Sequence, residues 1–306
     1  MLVALFMLVF LVVGGAVDHL YFDAFTRGGA ALPLATIFSL SVAAIVTLSA
    51  YYGGSRLILG ALGAEKPDPE NPEHRQLRHI VAEMALASGA AMPQLYVIYD
   101  PAPNALATGT HEKRAAICVT TGLLALLDRE ETQGVVAHEM SHIRNQDVLL
   151  MTMVSLLLGG VAILADLGQR GFSGPRAGRR LGGKSPLLFL PLVLLVALSP
   201  LIGRILAMAV SRQREYLADA TAAQYTRNPV GLARALEKIR DAAIPFQRAT
   251  RGTAHLFFTD PLRRRLEDSE GGLANLLMTH PPISRRIELL YRMAGIVQPR
   301  VQSAAG

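Results

Sequence analysis

His138 and His142 stand four residues apart in VAHEMSHIRNQD, residues 136–147, with Glu139 beside the first. If this stretch is helical, positions i and i+4 share one face, about one turn apart. The two imidazoles could then meet at one point, which is what a tetrahedral zinc ion takes from a single helix. Glu139 projects about 100° further round such a helix. It need not bind the metal and can instead take a proton from a water that the metal acidifies. This is the H-E-x-x-H arrangement.

A zinc site of this kind needs a third protein ligand. The metzincin continuation would put Gly three residues after the second His and another His three further on. Asn145 and Val148 occupy those positions, so a carboxylate from a later helix is expected instead. The stretch SRQREYLADATAAQY, residues 211–225, carries Glu215 and Asp219 four apart, hence on one helical face. Glu215 is a candidate ligand. Asp219 could accept a hydrogen bond from the second ring nitrogen of a ligating His and fix its tautomer. Alone, the stretch reads more readily as a solvated charged helix, and the His pair reverses that reading in favour of metal.

Several elements must position these groups. QLYVIY at 94–99 and AAICVT at 115–120 read as strands, being rich in β-branched and aromatic residues. Helices are expected at 73–89, from Gly122 to Leu127, from Glu130 to Asp147 and through 211–225. The chain is 51% hydrophobic and 18% charged, against about 25% charged in an ordinary soluble domain, and its mean hydropathy is +0.33. That balance points to a membrane. Residues 1–17 are uncharged and apolar with no basic residue ahead of them, which favours a retained span over a cleaved signal. Residues 18–31 read as a polar loop containing Asp18. Residues 32–54 form a second span ending in Tyr51 and Tyr52, where interfacial aromatics belong. The apolar runs 148–168 and 186–210 flank a Gly-rich basic loop, 169–185. The domains expected are thus 1–54 (two spans), 55–147 (first catalytic part, with the zinc helix), 148–210 (a hydrophobic hairpin) and 211–306 (second catalytic part).

The net charge of +6 is not concentrated in a run interleaved with aromatics, and Trp is absent, so nucleic acid is not an expected partner. If both outer helices are spans, the basic residues Arg56, Lys66, Arg75, Arg78, Arg212 and Arg214 instead favour the cytoplasm for the side of the catalytic parts; the membrane expected is a bacterial inner membrane. The basic loop 169–185 then falls on the opposite side, which the rule does not explain. Cys118, the one cysteine, lies in AAICVTTG and reads as a buried structural thiol.

The sequence resembles the HtpX-type membrane metallopeptidases, relatives of the CAAX prenyl proteases. The resemblance is carried by NALATG at 104–109, VTTGLL at 119–124, VVAHEMSHIRNQD at 135–147, SRQREYLAD at 211–219 and THPPISRRI at 279–287. It implies a mainly α integral membrane protein with a small β-sheet, a gluzincin-type catalytic domain and one Zn²⁺ per chain. It implies Glu215 as third ligand with Asp219 as its companion, and an endopeptidase acting on misfolded membrane proteins in quality control. The family's NAFATG reads NALATG here, with Leu106 in place of Phe. By the same resemblance His280 would lie near the active site, where it could donate to the tetrahedral intermediate. The plain alternative is a loop His that caps a helix starting near Ile283. Asn104, Ala105 and Leu106 are candidates to bind an extended substrate by edge pairing, with turn formation the alternative for Asn104. His19, His74, His79, His111 and His255 have no partner pattern and are expected at the surface. The rival reading of the whole chain is a non-catalytic membrane scaffold or chaperone that keeps a structural zinc.

Overall fold

The computed structural model describes residues 2–21, 32–156, 212–242, 244–246, 256–259 and 281–296. The basic loop, the second apolar run 186–210, His255 and His280 lie outside the described residues. Packing divides the chain into two units, residues 1–54 with 153–209, and residues 55–152 with 210–306.

The first unit holds α1 (Leu2–Tyr21) and most of α2 (Leu34–Leu62). Asp18, expected in a loop, belongs to α1. Its carboxylate accepts from Ala35 N at 3.0 Å, Thr36 N at 2.8 Å and Thr36 Oγ1 at 2.6 Å. It thereby satisfies amides that the first turn of α2 leaves unpaired. Gly14 lets the two helices touch, because a Cβ there would stand 2.6 Å from Thr36 Cα. α2 is long and apolar enough to cross a membrane.

The second unit is mainly helical with one small mixed sheet, ordered β1-β2-β4-β3. β1 (Ala64–Glu65) and β2 (Gln94–Ile98) run antiparallel, β2 and β4 (Ala116–Thr120) parallel, and β3 (Ala105–Thr108) lies antiparallel to β4. α3 (Pro72–Ser88) starts at Asn71, whose side chain accepts from Glu73 N and His74 N, and stops at Gly89 in the left-handed region. α4 (Thr121–Leu126) follows β4 directly.

α5 (Arg129–Arg144) is the axis of this unit. Its start is specified by a capping box, in which Asp128 accepts from Glu131 N and the Glu131 side chain accepts from Asp128 N. Its residues Val135, Val136, Met140 and Ile143 are buried. It packs against α3, β3, α7 (Arg212–Thr226) and α8 (Pro229–Ala242). The last described helix is α9 (Ile283–Met293).

The helix expected to run on to Asp147 stops at Arg144. Asn145 N still donates to Ser141 O, but Gln146 adopts φ 60° and its amide turns to Ile143 O. A new helix, α6 (Asp147–Leu156), starts at once. This single left-handed residue redirects the chain so that Asp147 comes back beside His142.

Candidate metal centre

Three buried ligand atoms converge. His138 Nε2 and His142 Nε2, one turn apart on α5, lie 3.2 Å from each other. Glu215 of α7 presents Oε2 at 3.8 Å from His138 Nε2 and Oε1 at 3.6 Å from His142 Nε2. The other ring nitrogens are engaged by carboxylates. His138 Nδ1 is 2.9 Å from Asp219 Oδ1, and His142 Nδ1 is 3.3 Å from Asp147 Oδ2. Such contacts hold the proton on Nδ1 and turn the Nε2 lone pair toward the shared point.

Charge fits a divalent cation. Glu139, Glu215, Asp219 and Asp147 bring four buried carboxylates. Arg286 and Arg214 bring two guanidiniums against them. With both imidazoles neutral, two negative charges are left over. Two nitrogens and one carboxylate also match the open donor set of catalytic zinc.

Arg286 is the side chain that fixes Asp219. It is 1% exposed and grips Asp219 with Nε at 2.8 Å and Nη2 at 2.7 Å, a two-pronged contact. Its Nη1 donates to Phe258 O at 3.1 Å and stands 3.8 Å from Glu215 Oε2. Phe258 presents its ring edge-on to His138, with centroids 4.9 Å apart.

The two imidazoles titrate in opposite directions. Burial pushes His138 down to about 4, against the opposing hydrogen bond of Asp219, and the charge of Arg286 adds to the downward push. Burial also lowers His142, but the hydrogen bond to Asp147 and the charges of Glu215 and Glu139 outweigh it and raise the group. Burial would raise Asp219, yet Arg286 holds it below the usual carboxylate range. Burial opposes the charge of Arg286, and Asp219 more than compensates, so Arg286 stays charged. Burial, helped by the charge of Glu139, drives the Cys118 thiol up, so it stays protonated, as a structural thiol would.

The sequence expectations meet this geometry unevenly. His138, His142 and Glu215 come together, with Asp219 behind His138. Glu139 is buried and its charge acts on His142 and Arg286. Asn104 is buried, donates from Nδ2 to Thr259 O at 3.1 Å, and accepts on Oδ1 from Thr259 N at 3.3 Å. Ala105 O accepts from Phe258 N at 2.8 Å, and Leu106 lies opposite Phe257. The edge expected to receive substrate is thus in contact with the chain's own residues. His19, His79 and His111 are exposed as expected. His74 is a correction: it is 3% exposed, and its Nδ1 accepts from Asp68 N at 3.0 Å, which ties the turn ahead of α3.

Asp147, Arg286 and Phe258 were not singled out from sequence. The first two lie inside the quoted stretches VAHEMSHIRNQD and THPPISRRI; Asp147 is five residues from His142, a separation that helical spacing does not bring together, and Arg286 is far along the chain from His138.

Comparison with known proteins identifies the family. Residues 71–294 match the model of peptidase family M48. A protein described as "Protease HtpX homolog" from Caldanaerobacter subterraneus subsp. tengcongensis is 44% identical over 245 residues, 79% of each chain. Another of the same description from Thermoanaerobacter pseudethanolicus is 40% identical over 291 residues, 94% of this chain and 92% of its own. The crystal structure of S. mikatae Ste24p shares the fold, with a TM-score of 0.52 at 18% identity. The match covers 94% of this chain but only 62% of that one. With a buried His-His-Glu cluster and a family match over most of its length, the chain belongs to peptidase family M48.

Proposed function

We propose that the protein is a membrane-embedded zinc endopeptidase of the gluzincin type, in which His138, His142 and Glu215 hold the ion. The observation that carries this reading is the convergence of three buried ligand atoms with a carboxylate behind each imidazole. Zinc bound there would polarise a scissile carbonyl and acidify a water. Glu139 takes the proton from the attacking water and passes it to the leaving amine, so no covalent intermediate is required. Asp219, oriented by Arg286, holds the His138 proton on Nδ1 and so leaves Nε2 free for the ion. Asp147 stands in the same position at Nδ1 of His142. His280 is the proposed donor to the oxyanion. Asn104, Ala105 and Leu106 are the proposed substrate-facing edge.

The substrates in this reading are misfolded or damaged membrane proteins, and the setting is the bacterial inner membrane with the catalytic unit facing the cytoplasm. Apolar residues exposed along α1 and α2, among them Leu8, Val12, Phe38 and Ile45, support a lipid environment and a multi-pass chain.

The test is the Glu139→Gln variant, purified in detergent beside the wild type. Metal content by elemental analysis should stay near one zinc per chain. Casein degradation should fall by about 10²-fold or more, in line with loss of a positioned general base. Undiminished degradation would remove Glu139 from the reaction, and a chain without metal would remove the site.

A further inference from the structure

The outer edge of β3 is filled by four residues from far along the same chain. Phe257 faces Leu106 in an antiparallel bridge, and Phe258 N donates to Ala105 O at 2.8 Å. Just before β3 starts, the Asn104 side chain extends the ladder, accepting from Thr259 N and donating to Thr259 O. The remaining carbonyl, Phe258 O, takes Arg286 Nη1 at 3.1 Å. Both peptide units around Phe258 and Thr259 are therefore held through main-chain groups. The phenylalanine side chains are buried as well: the Phe257 ring lies 4.9 Å from that of Phe246, and the Phe258 ring sits against His138 and 4.8 Å from Arg286 Cζ.

This is the contact pattern that an enzyme acting on arbitrary polypeptides needs. Main-chain bonds to a sheet edge give affinity without regard to sequence, and pockets for the side chains supply preference. The Phe258 pocket lies beside the proposed metal ligands, and Arg286 belongs to both. β3 has one outer edge, so an extended substrate and residues 256–259 compete for it. A tethered segment presents itself at an effective concentration on the order of millimolar, which disfavours any untethered peptide until the segment leaves.

We infer that Leu256–Thr259 is an internal pseudosubstrate. It occupies the substrate groove along β3, must be displaced before cleavage, and mirrors the substrate class: an extended segment with an aromatic side chain where Phe258 now sits. This rests on the peptidase reading above.

The experiment pins the segment in place. Leu106→Cys with Phe257→Cys puts thiols on directly opposed residues. The flanking bond from Phe258 N to Ala105 O marks them as the close pair of an antiparallel ladder, with Cα atoms about 4.5 Å apart, within reach of a disulfide. The full chain is prepared in detergent on a Glu139→Gln background, and binding of a fluorescent peptide containing Leu-Phe-Phe-Thr is read by anisotropy. The expected result is at least a tenfold weaker apparent affinity in the oxidised than in the reduced form of the same protein. Thr259→Pro, which removes the amide that Asn104 accepts from, should tighten peptide binding at least threefold. Equal affinity in the oxidised and reduced forms, or no peptide binding in either, overturns the inference. Because the readout is binding by a variant without its base, it stands apart from the peptidase reading. A chain that binds the peptide only when reduced, yet whose Glu139-intact parent never cleaves casein, keeps the competition and loses the hydrolase.

Discussion

Asp219 is shared between two partners that need it for different reasons. Its Oδ1 meets His138 Nδ1 and Arg286 Nη2, and its Oδ2 meets Arg286 Nε. Removing the guanidinium would leave a buried carboxylate with no full counter-charge. Arg286→Met should therefore destabilise the chain by about 3–5 kcal/mol, read from denaturant unfolding. Arg286→Lys should keep the charge but lose the fork, so zinc affinity should fall about 10–100-fold through a misaligned Asp219, read by competition with a chelator. The histidines set the pH response. In the metal-free protein His142 lies above its ordinary value, so a proton must leave it before zinc can bind, and affinity should rise with pH through its titration. Calorimetry in buffers of different ionisation enthalpy should show proton release on binding at neutral pH. Asp147→Asn, which removes a cause of the raised value, should reduce that release; an unchanged release would assign the proton elsewhere. His138 acts with the opposite sign. Its folded value of about 4 lies below the unfolded value of 6.5, so the unfolded chain binds its proton first. The contribution of His138 to metal-free stability should be lost as pH falls through that window.

At the scale of elements, α5 works because it is held on several sides at once. Gly134 is where α8 comes closest: a Cβ there would meet Leu232 Cα and N at 2.9 Å. These are backbone atoms that cannot rotate aside. Gly134→Ala should push α5 off α8 and cost about 1–3 kcal/mol, with a lower Tm and weaker zinc binding, since both histidines ride on α5. A variant of wild-type Tm would mean the helices separate without penalty. The ends of α5 show what the sequence makes legible and what it hides. The start is written locally, as Asp128 and Glu131 in a capping box, and β2, β4 and the Glu215 helix carry similarly local signals. The end is not, because RNQD continues a polar helical face and nothing in it marks Gln146 for a left-handed turn. Asp147 was thus visible as a residue but not as a neighbour of His142. Arg286 was hidden for the same kind of reason. Beside Arg285 in a helix with charged neighbours it reads as solvated, and only packing against α7 and Phe258 reveals which of the two arginines is buried. Chemistry carried by spacing within one helix can be read from the chain, whereas chemistry carried by contact between distant elements cannot.

At the scale of the molecule, the question is which solvent the first unit meets. Phe38 is 73% exposed, Tyr52 71% and Ile45 64%, all on a helix that is long and apolar enough to cross a membrane. In water such a row would be an adhesive surface. In lipid it has no such penalty, since hydrocarbon chains are as apolar as the side chains. The two solvents predict opposite outcomes for one substitution. Ile45→Lys puts a charge on an exposed position well inside α2. If that position faces lipid, the change should disfavour insertion by about 2.5–3.5 kcal/mol, the cost of a basic residue near a helix centre. Less protein should then resist alkaline extraction from membranes, while the metal content of the second unit stays as in the wild type. If the position faces water, the same lysine should raise solubility and leave the membrane fraction as it was. Phe38→Lys serves as the internal comparison. It stands one turn from the start of α2, where a lysine can reach the interface with its ammonium. A lipid-exposed helix should therefore tolerate Phe38→Lys better than Ile45→Lys. Equal tolerance of both positions would mean that the apolar row of α2 is covered by protein rather than by membrane.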